Sequence, residues 1–313
     1  MGKSLSLLVF LALIILTVEC DQEKPLDQGI LVSTDWLQNQ LNDPSLVVLQ
    51  AGTEEGYDTL HIPGARLILP GDFVVSNDSI RNELPDPDSI VHMLRKAGVN
   101  KDSRIVLCYE NERLISRTAR VFLTLAHAGL ADRTFVLNGG LPAWKEEERE
   151  TSDLRPSLSV GNLEVLAPVE VLISTSDLER ERWSPEVVVI DARRDDEYHG
   201  TPASGEEEAE GGHIEGAYFL PYENSFMDEK PYLFKSDAEL EKLFREAGMD
   251  PGRTTVVYCG SGIRASVSYL TASHLGYPVL LYDGSYQEWD RLDLPLTGPV
   301  IHPAEPDLPD DKE

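Results

Sequence analysis

Basic residues and cysteines are both scarce in this chain. Lys and Arg number 27 against 55 Asp and Glu, a formal net charge of -28. Such a surface repels polyphosphate backbones and anionic membranes at long range, which argues against a nucleic-acid partner; its ordinary consequence is solubility. Cys20, Cys108 and Cys259 are too few for a disulfide framework. Neither they nor the seven histidines stand at CxxC or HxxxH spacing, so no metal site is expected. A phosphate-binding glycine fingerprint is missing as well, and no cofactor is expected. The apolar run from Leu5 to Val18 is too short to cross a bilayer comfortably, so no membrane span is expected.

That run follows Lys3 and has the layout of a secretory signal peptide over residues 1–20. Cleavage after Cys20 yields an exported protein, periplasmic or secreted. Cleavage before it makes Cys20 a lipid-bearing N-terminus, a pattern that Glu19 fits poorly.

At 313 residues the chain suits two domains of average size. A repeat supports that division. Val47 to Ala65 (VVLQAGTEEGYDTLHIPGA) and Val188 to Ala217 (VVIDARRDDEYHGTPASGEEEAEGGHIEGA) each open on a β-branched run, pass an acidic stretch with a Tyr, and close on His-Ile-x-Gly-Ala. The second copy carries an acidic, Gly-rich insertion from Thr201 to Gly212. Arg104 to Glu110 (RIVLCYE) matches Thr254 to Gly260 (TTVVYCG), and VLNGGLPAW ending at Trp144 matches LLYDGSYQEW ending at Trp289. Four matched elements in one order indicate duplication. Helical patterns at Ala238 to Ala247 and Ala265 to Leu275 alternate with the strands, which predicts α/β units, each a parallel sheet with helices on both faces. The expected bounds are 21–150 and 167–301, joined by a linker at 151–166 and followed by an acidic, Pro-rich disordered tail at 302–313.

The chemistry concentrates at CGSGIR, Cys259 to Arg264, between a strand's carboxyl end and a helix's N-terminus, where open α/β sheets place ligands. Gly260 and Gly262 are expected to take positive φ and turn successive N–H groups into an anion nest. Those groups, the helix dipole and Arg264 would stabilise a thiolate or persulfide on Cys259.

Here the chain resembles the rhodanese family, specifically the tandem thiosulfate and 3-mercaptopyruvate sulfurtransferases, through CGSGIR, the paired HIPGA and HIEGA, the DAR at Asp191 to Arg193, and LYDGSYQEW. The resemblance implies that Cys259 takes sulfur from a small anionic donor as a persulfide and passes it to a thiol or cyanide. It also implies a catalytically silent first domain that covers the site. Aligning RIVLCYE and TTVVYCG on their tyrosines sets Glu110 opposite Cys259 and leaves Cys108 as a buried, inert thiol.

The substrate-binding set expected from the resemblance is Arg193, Gly260, Ser261, Gly262, Ile263 and Arg264. Arg193 either grips the donor's anionic group or pairs with Asp191 or the acidic run Asp195 to Glu197. Ser261 either polarises a donor carbonyl or caps the helix. His61 and His213 are expected to bond to backbone, and Trp144 and Trp289 to lie in the core. CGSG resembles the mercaptopyruvate enzymes, yet Arg264 replaces a small residue and Glu197 falls where a second donor-binding arginine belongs, which favours thiosulfate. A non-enzymatic persulfide carrier needs the same loop. A phosphatase or arsenate reductase fits worse, because Cys259 and Arg264 enclose four residues, one fewer than related phosphatases use around a tetrahedral oxyanion, and the loop holds no acid.

Overall fold

The computed structural model describes residues 29–76, 81–200 and 211–298. The expected leader at 1–20 with Cys20, most of the acidic insertion and the expected tail at 302–313 fall outside them. No helix among the described residues is long and apolar enough to cross a membrane.

The first unit runs β1 (Leu31–Val32), α1 (Thr34–Gln40), β2 (Leu46–Ala51), α2 (Glu54–Thr59), β3 (Arg66–Ile68), α3 (Pro87–Lys96), β4 (Arg104–Tyr109), α4 (Ile115–His127), β5 (Thr134–Leu137) and α5 (Gly140–Glu146). Its strands are all parallel, in the order β1-β5-β4-β2-β3. The second unit runs α6 (Thr175–Glu181), β6 (Val187–Asp191), α7 (Asp195–His199), β7 (His213–Ile214), β8 (Tyr218–Phe219), α8 (Asp237–Glu246), β9 (Thr254–Tyr258), α9 (Ala265–His274), β10 (Val279–Leu281), α10 (Ser285–Arg291) and β11 (Leu296–Thr297). Its sheet has the parallel order β10-β9-β6-β8, and a bridge from Leu172 to Leu281 takes the place of β1. The antiparallel pair β7–β11 has its counterpart in a His61–Ser152 bridge. The duplication read from sequence is therefore a duplication of topology.

Both sheets are buried on both faces, which is why their strands read as near-continuous apolar runs. In the first unit Leu49 and Leu107 face α3 and α4, while Val48 and Val106 face Leu37 of α1 and Trp144 of α5. In the second, Ile190 and Val257 face α8 and α9, while Val189 and Val256 face Leu178 of α6 and Trp289 of α10. Trp144 and Trp289 are fully buried. Helix starts carry their own signals: Ser33 accepts from Trp36 N–H, Thr53 from Gly56 N–H, and Ser236 forms a capping box with Glu239.

The two units share a core layer in which α4 packs on α9. Apolar spacing of three and four residues predicts one buried stripe on α9, but the helix is buried on nearly every side, because sheet, α4 and the preceding loop all cover it. At its end the His274 ring accepts from the N–H groups of Ile30 and Leu31, at 3.0 and 3.3 Å, and faces Asp237 at 2.9 Å, tying the edge of β1 to the second unit. The segment expected as a linker lies along the first unit, through Gly161 N–H to Arg95 O and Leu163 N–H to Val99 O, with Leu163 buried.

Sheet register fixes which residues of the two units correspond. Gln50 pairs with Cys108 and Asp191 with Tyr258; Val47 pairs with Ile105 and Val188 with Thr255. Tyr109, not Glu110, therefore stands opposite Cys259, Cys108 stands opposite Tyr258, and Glu110 stands opposite Gly260. The tyrosine-based alignment was off by one because strand pairing, not residue identity, sets the register.

A size exchange accompanies that correspondence. Gly140, at φ +55°, lies so close to Tyr109 that a Cβ there would sit 2.5 Å from its ring. The matching Ser285 keeps the same left-handed backbone, φ +54°, and fits a side chain because Cys259 is small. Gly140→Ala is expected to cost about 2–5 kcal/mol, from backbone strain and overpacking together. Urea denaturation followed by tryptophan fluorescence measures this, and an unchanged midpoint would contradict the correspondence.

Candidate active site

Cys259 directly follows β9 and is 1% exposed. Three contacts from the start of α10 hold the backbone of Cys259 and Gly260. The Cys259 N–H donates to Ser285 Oγ at 3.3 Å, its carbonyl accepts from Tyr286 N–H at 2.9 Å, and the Gly260 carbonyl accepts from Gln287 N–H at 3.2 Å. Ser285 in turn donates to Tyr282 O at 2.8 Å. Gly262 takes positive φ (+80°), as expected, but Gly260 does not. Gly260 makes room instead: a Cβ there would meet Arg264 Nη2 at 3.3 Å. Among the described residues, the backbone N–H groups of Ser261, Gly262, Ile263 and Arg264 have no protein acceptor. The loop thus offers a row of amide donors beside a buried sulfur, the arrangement that favours a thiolate or a bound anion.

Both arginines of the expected set are ion-paired. Arg193 is 2% exposed. Its Nη2 lies 2.7 Å from Asp191 Oδ2 and donates to Gly212 O at 2.6 Å, and its guanidinium lies 4.0 Å from the Tyr286 ring centroid. Burial alone would lower its pKa; the Asp191 pair outweighs that and raises it. Asp191 also accepts from Tyr258 OH at 2.7 Å. Of the two alternatives for Arg193, the ion pair is the one formed, and it braces the strand beneath the loop.

Arg264 does reach the loop, but joined to Glu197, with two contacts of 2.5 Å. Burial opposes the Arg264 charge, yet the Glu197 bond and the Cys259 sulfur outweigh it and push its pKa up. Burial likewise works to raise the Glu197 pKa, and the same ion pair overrides it, holding the carboxyl below its ordinary range. The pair's contribution to stability is therefore complete at neutral pH and lost only as pH falls through that lowered value. The site's positive charge is largely compensated within itself.

Ser261 does not cap α9, whose N-cap is Arg264; its hydroxyl accepts from Asn82 Nδ2 at 3.3 Å. Ile263 is half-buried in the loop. His61 and His213 face the carbonyls of Tyr57 and Tyr198 at 2.7 and 3.0 Å, away from the loop. Beside Ser261 a cleft runs between the units, lined by Arg81 and Glu83 of the first and Asp283, Gln287 and Arg291 of the second. No cluster of side chains among the described residues is suited to a metal ion.

In the first unit the corresponding loop is plugged. Glu110 Oε2 accepts from Thr53 N–H at 2.8 Å, and its carboxylate fills the space over Gly52 and Gly56, whose counterparts are Arg193 and Glu197. Cys108 is fully buried, and burial pushes its thiol pKa far up.

A model of the rhodanese-like domain matches residues 33–147 and 174–292, one copy on each unit. The chain belongs to the rhodanese family. This rhodanese is 30% identical over 281 residues to a thiosulfate sulfurtransferase of Corynebacterium glutamicum, covering 84% of this chain and 88% of that one. It is 32% identical to the sulfur carrier protein TtuD of Thermus thermophilus, covering 84% and 94%, and 27% identical to the 3-mercaptopyruvate sulfurtransferase of Escherichia coli K12, covering 85% and 96%. Its fold matches the crystal structure of the E. coli 3-mercaptopyruvate enzyme SseA with a TM-score of 0.69 at 25% identity, over 82% of this chain and 99% of that one.

Sequence reasoning missed Asn82, Arg120, Asp283 and Ser285, which reach the loop from elsewhere in the chain. The exchange of Gly140 and Tyr109 for Ser285 and Cys259 was a readable signal for the last of these.

Proposed function

We propose that this rhodanese is an exported sulfurtransferase of the thiosulfate type, with Cys259 as its sulfur-carrying nucleophile. The single observation carrying the catalytic assignment is the loop geometry: a small, buried cysteine beside four backbone amides that have no protein acceptor among the described residues. In the first half-reaction the Cys259 thiolate attacks the outer sulfur of thiosulfate. A Cys259–sulfur bond forms as the donor's sulfur–sulfur bond breaks, and sulfite leaves with the electron pair. Cyanide or a thiolate then attacks the persulfide's terminal sulfur and returns the thiolate to Cys259. The loop amides hold the negative charge in both steps, while Arg193 acts from beneath as a brace.

Thiosulfate is favoured because Arg264 stands beside the sulfur and Glu197 occupies the place of a second donor arginine. Export rests on the apolar leader at 1–20. A second reading, a persulfide carrier that does not turn over small donors, is supported by the likeness to TtuD. Steady-state assays with thiosulfate and cyanide, then with 3-mercaptopyruvate and a thiol, separate these readings. Sustained turnover, faster with thiosulfate, is expected. One stoichiometric loading without turnover would replace the enzyme with the carrier.

A further inference from the structure

Arg120 connects the silent unit to the sulfur site. It projects from α4 of the first unit, is 1% exposed, and crosses to Asp283 of the second, with Nη1 to Oδ1 at 2.6 Å and Nη2 to Oδ2 at 2.7 Å. Nη2 also donates to the backbone carbonyl of Asn82. The Asn82 side-chain amide donates in turn to the carbonyl and hydroxyl oxygens of Ser261, at 3.2 and 3.3 Å. Behind the loop, a Cβ on Gly262 would stand 2.4 Å from Asp283 Oδ1 and 3.1 Å from Arg120 Nη1. The carboxylate thus abuts the turn at Gly262, with the guanidinium against both.

We propose that Arg120 is a positioning residue of the sulfur site: it cancels the Asp283 carboxylate at the back of the loop and, through Asn82, fixes Ser261 on the loop's other side. The proposal rests on the reading of Cys259 as the sulfur-bearing residue. An unpaired carboxylate buried there would repel thiolate, persulfide and anionic donor alike, and would compete for the loop's amides. Arg120 is itself incompletely satisfied, since its Nε is buried with no acceptor among the described residues, whereas both of its Nη groups are bonded. A group kept at that cost of desolvation, with its bonded end on the loop, is poorly accounted for by packing alone. The silent unit is by this reading part of the site.

The test is single-turnover loading of the full chain with thiosulfate, alongside thermal unfolding, for the wild type, Arg120→Met, Asn82→Gly and the double variant Arg120→Met/Asp283→Asn. Arg120→Met is expected to slow loading at saturating donor about a hundredfold, the scale of an ångström-level misplacement. Half-saturation should rise as well, because the stranded Asp283 carboxylate repels the anionic donor, and both effects should reverse together in the double variant. Asn82→Gly preserves the left-handed backbone at this position (φ +61°) and removes only the bonds to Ser261, for an expected loss of about tenfold. The double variant should recover most of the Arg120→Met loss, which repair of a mere packing defect would not do. A folded Arg120→Met that loads at the wild-type rate overturns the proposal, as does a double variant no faster than the single. If Arg120→Met does not fold, Asn82→Gly decides, and wild-type loading there overturns it. A wild type that takes no sulfur on Cys259 overturns the underlying reading instead.

Discussion

Serine in place of Cys259 is expected to lower sulfur transfer from thiosulfate by about 10⁴-fold or more, the scale of losing an indispensable nucleophile. A hydroxyl in the same loop has the same amides around it, but its oxygen neither ionises readily nor forms a persulfide. Cys108→Ala should leave the rate nearly unchanged. Cys108 is fully buried in β4, its sulfur 3.6 Å from the Tyr109 carbonyl, and burial keeps its thiol protonated. The cyanide assay on both variants measures this, and near-wild-type activity in Cys259→Ser would remove the nucleophile from the account.

Arg264→Met is expected to produce the second large effect. Without the guanidinium, the Glu197 carboxylate is left half-buried beside the loop and its charge acts on the thiolate and the donor. One unit charge at such range and an effective dielectric near 20 is worth about 2–3 kcal/mol, or roughly a hundredfold in rate. Adding Glu197→Gln removes the stranded charge and should restore part of the rate, while Glu197→Gln alone should strengthen thiosulfate binding by uncovering Arg264. These outcomes separate a compensated pair from a donor-gripping arginine. If Arg264 held the donor directly, adding Glu197→Gln to Arg264→Met would not restore the rate.

The duplication and the parallel sheets were legible because they reside in local pattern, and so was the loop that holds Cys259. VVLQA and VVIDA, RIVLCYE and TTVVYCG each report a strand buried on both faces, and CGSGIR carries its turn, its cysteine and its cation within six residues. What failed was whatever depends on pairing between distant segments. Setting Glu110 rather than Cys108 opposite Cys259 missed Tyr109 by one residue of register, which neighbouring strands decide. For Arg193 the ion pair with Asp191 was one of the two readings the sequence offered, and it forms; the packing of the guanidinium on Tyr286, far along the chain, was not legible. Arg264 and Glu197 were each noticed as departures from the family pattern; that they compensate one another follows only once α7 and the loop are side by side. Arg120 and Asn82 had no motif at all, since their roles exist only at the boundary between the two units.

The central claim is that one sulfur atom rides on Cys259 and nowhere else. Intact-mass measurement of the protein after brief exposure to thiosulfate, with the acceptor withheld, tests it most directly. The wild type and Cys108→Ala should each gain the mass of a single sulfur atom, released on adding cyanide, and Cys259→Ser should gain none. A sulfur adduct that persists in Cys259→Ser, or is absent from the wild type, would contradict the account.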